Sequence, residues 1–130
     1  MASIIINLGD AFLLDTPPNS EHLYIAIAQT SESSYLFVNF TSRRANSEEA
    51  CVLLPGPGVP SFIVRESVIA YERALEINAT ELAKLITAGS PIPKDSCSED
   101  VLAHIQQGGL VSKRLKNKYK VALKSFLGIS

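Results

Sequence analysis

The amino-acid sequence predicts an α+β chain: a small β-barrel over residues 1–77, followed by two or three helices over residues 78–130 that pack on it as one compact domain. Three observations carry this. Up to Ile77, short runs rich in Ile, Val, Leu, Phe and Tyr alternate with turn formers, the punctuation of short strands. Beyond Ile77 the period lengthens and helix-capping signatures begin. The chain has 130 residues, 46% of them hydrophobic, which suffices for one core and is short for two.

Strands are expected over residues 4–7, 11–15, 22–29, 35–40, 50–54 and 61–65, with a further short strand within 68–77. The connectors DTPPNSE, TSESS and TSRRANSEE are polar and short, as antiparallel neighbours require. The run HLYIAIAQ (22–29) is almost continuously apolar, which suggests a central strand covered on both faces. PGPGVP (55–60) is a structural turn, because three prolines remove donors and two glycines permit positive φ. Proline also lacks the amide that a phosphate-cradling loop uses, and no Lys-Ser/Thr follows.

In the second part, Asn78 to Glu81 (NATE) is a capping box opening a helix that stops at Gly89. SPIPKD then breaks the chain. Ser96 to Glu99 (SCSE) reads as a second capping box, with Val101, Leu102 and Ile105 on one side of a helix ending at Gly108 and Gly109. Ser112 is expected to cap a third helix, on which Leu115, Tyr119, Ala122 and Phe126 form an apolar stripe. Lys113, Lys116, Lys120 and Lys124 then project from the opposite side.

Charge is unevenly distributed. Residues 1–112 hold six basic and 13 acidic side chains, a net −7, whereas residues 113–130 carry +6. Such a basic end suits either phosphates or an acidic protein surface, its own or a partner's. Two cysteines make neither a disulfide scaffold nor a zinc site, and Cys51 in ACVLL reads as a small buried hydrophobe. No cofactor motif is present. MASIIINLGDAFLL has neither a basic leader nor an unbroken apolar span, so a soluble cytoplasmic protein without membrane partners is expected.

The most informative stretch is YLFVNFTSRR (35–44), where a strand-like run ends in two hydroxyls and two arginines. If strands 22–29 and 35–40 form a hairpin around Ser31 to Ser33, His22 lies about ten residues before the turn and Thr41 about nine after it. The hairpin then brings His22 beside Thr41, Ser42 and Arg43. Imidazole transfers protons near neutral pH and guanidinium stabilises an in-line phosphate, so these four are candidate catalytic residues for phosphodiester cleavage. Arg44, Lys113, Lys116 and Lys120 are candidate nucleic-acid contacts. The structural alternative is that Thr41 and Ser42 cap a strand end while the arginines are solvated. His104, beside apolar residues, reads as a surface or packing residue. Tyr71 is expected to lay its ring on the core with its hydroxyl outward.

The order GDAFLLD, HLYIAIA, YLFVNFTS, ACVLLPG, SFIVRESVIAY, NATELAKLI resembles a group of small uncharacterised bacterial and phage proteins, over nearly the whole chain. Over roughly the first 80 residues it more distantly resembles the PemK/MazF-like plasmid-maintenance toxins. That resemblance implies an SH3-like barrel, a toxin-antitoxin context, metal-independent RNA cleavage, an antitoxin or other protein partner, and homodimerisation. Thr41 and Ser42 match the toxins' strand-ending Thr-Ser. The toxins usually place arginine and proline before the strand matched by HLYIAIA; here Glu21, His22 and Leu23 stand there, and neither Arg43 nor Arg44 occupies that position. The functional expectation is therefore an RNA-acting or RNA-binding protein, with the 2′-hydroxyl as nucleophile if it cleaves. The alternative is a non-catalytic interaction module whose Lys-rich helix docks an acidic protein.

Overall fold

The computed structural model describes residues 5–15, 21–86 and 95–129. The strands are β1 (Asp10–Asp15), β2 (Glu21–Gln29), β3 (Ser34–Ser42), β4 (Val52–Leu53) and β5 (Ser67–Asn78). After them come α1 (Ala79–Leu85), β6 (Asp95–Ser96), α2 (Glu99–Val111) and α3 (Asn117–Leu127). The six strands form one antiparallel sheet in the order β4-β5-β3-β2-β1-β6. The sheet curls into a half-barrel, and with three helices the fold is α+β.

β2 is central, as its apolar run implies, and every residue from Leu23 to Ala28 is buried. Alternation sends its side chains to two faces. Leu23 and Ile25 join Val38, Phe40, Ile69 and Tyr71 in a core closed by Ile105 of α2 and Leu123 of α3. Tyr24 and Ala26 join Phe12, Leu14 and Phe37 in a second core closed by Leu82 of α1. The register shifts between Ala26 and Ala28 of β2 and between Phe37 and Asn39 of β3. Irregularities of this kind bend a strand and raise its twist.

Several elements differ from the sequence reading. Residues 5–7 form no strand, and residue 4 lies outside the described residues. The expected short strand after Val68 is the longest of all, with 12 residues. The run 50–54 supplies only the two residues of β4. Residues 61–65 form a turn instead of a strand, and the backbone donors of Ser61 and Ile63 are committed within it and to Asp95. Ser61 N–H and Oγ both donate to Asp95 Oδ2 (2.5 and 2.6 Å), and Ile63 N–H donates to Pro60 O (2.9 Å). The helical segment also contributes β6, which pairs with β1 through Asp10↔Ser96.

The capping box of α1 is present, with Glu81 N–H donating to Asn78 Oδ1 (2.8 Å). α1 ends earlier than expected because Ile86 is extended and bridges Leu14; Gly89 lies outside the described residues. For α2 the cap is Ser98, not Ser96, and its Oγ accepts from Val101 N–H. α2 does not stop at its glycines. It runs through them because they are points of close approach: a Cβ on Gly108 would meet Tyr71 Oη and, at 2.9 Å, the Ala50 carbonyl oxygen.

Ser112 ends α2 and organises the turn that follows, its Oγ donating to Glu48 Oε1 and accepting from Arg114 and Leu115 N–H. α3 begins only at Asn117, with Lys116 at its N-cap and no side-chain cap. Lys113 and Lys116 therefore precede the helix instead of lying along it, and the helical residue buried in the core is Leu123, while Phe126 is exposed.

Candidate functional site

At the end of the sheet where β2 begins and β3 stops, a cavity of about 340 Å³ is lined by His22, Leu23, Phe40, Thr41, Ser42, Phe62, Ile63, Val64, Arg65 and Ser67. The hairpin geometry places three of the four expected residues here. β2 and β3 turn back through Thr30 and Ser31 N–H onto Ser34 O, and Tyr24 pairs with Asn39. Carried two residues further, that register sets His22 opposite Thr41.

The strand pleat divides these groups between two faces. His22 and Thr41 have the parity of Tyr24 and Asn39, whereas Ser42 pairs with Ser67 and has the parity of Phe40 and Ile69. The cavity thus wraps around the end of the sheet. Ser67 is buried and its Oγ donates to Arg65 O (2.9 Å). His22 is half-buried, and its Nε2 has no hydrogen-bond partner among the described residues. A buried imidazole nitrogen without a partner is costly in a structure and serviceable in a site.

Arg43 is placed elsewhere. Its guanidinium donates through Nε and Nη2 to Glu49 Oε2 (3.1 and 2.5 Å) and through Nη1 to Glu66, and its N–H donates to Glu66 O (3.2 Å). The hydrogen bonds it donates to Glu66 and then to Glu49 push the Arg43 pKa up, so it stays cationic. A second, shallower cavity of about 560 Å³ is lined by Arg43, Arg44, Ala45, Glu49, Arg65 and Glu66.

Arg65 lines both cavities and is exposed; with Phe62, 46% exposed on the same rim, it is the cation and aromatic that sequence reasoning missed. Their signal was faint, because PSFIVR reads as a strand whose side chains alternate, whereas its backbone is a turn.

The C-terminal lysines form no common patch with this cleft. Lys120 Nζ donates to Ser112 O (2.5 Å) and closes the end of α2. Lys113 N–H donates to Glu48 Oε2 (2.7 Å), and Lys113 and Lys116 are exposed. His104 is exposed beside Gln107 and Val111, as a surface residue. No group of three or more His, Cys, Asp or Glu among the described residues is arranged to hold a metal ion. None of the described helices is long and apolar enough to cross a membrane. No known family model matches the chain, and no curated protein matches its sequence.

Proposed function

We propose that this chain is a small-barrel protein of the SH3-like, PemK type, belonging to a toxin-antitoxin-like system, and that its strand-end cleft holds single-stranded RNA. The observation that carries the reading is one cavity joining His22, the hydroxyls of Thr41 and Ser42, the exposed Phe62 ring and the Arg65 guanidinium. An aromatic face stacks on an unpaired base, guanidinium takes a phosphate, and hydroxyls meet a ribose or phosphate oxygen. In the catalytic form of this reading, His22 accepts the proton of a 2′-hydroxyl as that oxygen attacks the adjacent phosphorus. The 5′-oxygen then leaves with a proton from solvent. Arg65 stands where Arg43 was expected as the cation at the phosphate.

The test is binding and cleavage of a mixed-sequence single-stranded RNA, with and without chelator, by the parent protein and by His22→Ala and Arg65→Ala. Binding that falls with salt and weakens in Arg65→Ala supports the reading. Chelator-resistant cleavage lost in His22→Ala adds the catalytic step, and full cleavage by a folded His22→Ala removes it. A second reading, a non-catalytic protein-interaction module, is favoured by the apolar rim: Val64, 73% exposed, lines the cavity with Phe62. Salt-insensitive protein capture with no RNA binding selects it.

A further inference from the structure

Five charged side chains line the second cavity: Arg43, Arg44, Arg65, Glu49 and Glu66. Arg43 takes both carboxylates, while the guanidinium groups of Arg44 and Arg65 make no ion pair among the described residues. All five line one cavity, and charges closer than a Debye length, roughly 8–10 Å at physiological salt, feel one another. Left without Arg43, the two carboxylates would turn to Arg44 and Arg65, neutralise them and repel an incoming phosphate. A planar guanidinium with donors on three nitrogens is suited to holding two carboxylates at once.

We propose that Arg43 is a positioning residue for the cleft: by occupying Glu49 and Glu66 it leaves Arg44 and Arg65 available to the phosphates of a single-stranded RNA. This rests on the RNA reading above and adds to it a division of labour among three arginines. Arg43 touches no phosphate. Arg65, shared by both cavities, is where the two meet, so the phosphate track runs from the His22 cleft towards Arg44.

The test is a cycle of the parent, Arg43→Ala, Glu49→Gln with Glu66→Gln, and all three together, read by the affinity of a short labelled single-stranded RNA over a salt series, with thermal melting to verify folding. Arg43→Ala is expected to weaken binding about tenfold through electrostatics alone. Adding Glu49→Gln and Glu66→Gln to it is expected to restore affinity to within about threefold of the parent, with the salt slope unchanged. Arg43→Lys, whose single ammonium is a poor match for two carboxylates, is expected to fall between. A loss that persists in the triple variant, with the slope of log K against log salt reduced by about one, means that Arg43 contacts phosphate directly and overturns the proposal. Unchanged affinity in Arg43→Ala overturns it too. A parent that binds no RNA overturns both this and the RNA reading, whereas parental binding without rescue overturns this alone.

Discussion

The joint between α2 and the sheet and the cleft at the end of β2 and β3 are built on opposite plans. At the joint, polar groups are paired. Tyr71 is fully buried and its Oη donates to Ile105 O (2.6 Å), so the hydroxyl expected to point outward instead ties sheet to helix. Gln106 donates from its side chain to Ile27 O (2.8 Å), and Glu48 receives both Ser112 Oγ and Lys113 N–H. At the cleft, the buried His22 Nε2 has no partner among the described residues and apolar side chains stand exposed on the rim. Buried polar groups that are satisfied contribute to a unique packing, while unsatisfied ones raise the energy of the free protein and lower the cost of taking a ligand. The joint therefore contributes stability, while the cleft is where the proposed binding would act.

The largest effects are expected at the joint. Leu123→Ala removes a fully buried side chain from the contact of α3 with the sheet, and a loss of about 3 kcal/mol is expected in denaturant unfolding. Gly108→Ala forces a methyl against a backbone carbonyl and the Tyr71 hydroxyl, so a loss of about 2 kcal/mol is expected despite the better helix propensity of alanine. Its neighbour sharpens the point. A Cβ on Gly109 meets the end of the Leu123 side chain at 2.8 Å, which shifts more easily, so there the propensity gain of about 1 kcal/mol offsets most of the strain. Equal losses at both glycines would break the account of α2 as a helix held against the backbone at one point.

Gln106→Leu is expected to cost about 1–2 kcal/mol, since Ile27 O loses its side-chain donor in a buried setting. Alkaline pH attacks the same region. Burial pushes the Cys51 thiol up from 9.0 to about 12, partly opposed by its hydrogen bond with Tyr71, and burial raises Tyr71 as well. A raised folded pKa gives stability that is complete below the unfolded value and is lost as pH climbs through the folded one. Stability is therefore expected to decline from about pH 9 towards 12, and a Cys51→Ala variant to decline less over that window by denaturant titration. The smallest loss belongs to the cleft: His22→Leu removes a buried nitrogen without a partner among the described residues, so unfolding is expected to be unchanged or up to about 1 kcal/mol more stable, while the proposed RNA binding weakens. A large loss of stability there would make His22 a packing residue and break the comparison.

Local chemistry was legible wherever the signal lay within a few neighbouring residues. The capping box at Asn78, the central run of β2, the PGPGVP turn and the buried Cys51 all follow from adjacent side chains acting on their own backbone. That His22, Thr41 and Ser42 line one cavity was also within reach, because a hairpin's register follows from the position of its turn.

What failed depended on partners distant in sequence. Ser61 reads as the start of a strand until Asp95 takes its donors. Gly108 and Gly109 read as a helix stop until Tyr71 and Leu123 show why a side chain is excluded there. Ser112 reads as the cap of α3, but its Oγ accepts from Arg114 and Leu115 N–H in the turn that precedes the helix, held there by its bond to Glu48.

An α+β chain with a β-rich first part, the hairpin that aligns His22 with Thr41, and the start of α1 all follow from periodicity and from contacts spanning a few residues. That Arg43 belongs to Glu49 and Glu66, that Lys120 closes α2, and that Arg65 and Phe62 line the cleft came from long-range packing alone. The physical reason is that a charged side chain settles among all the charges and carbonyls its reach allows, and the fold, not the neighbouring residues, decides which those are.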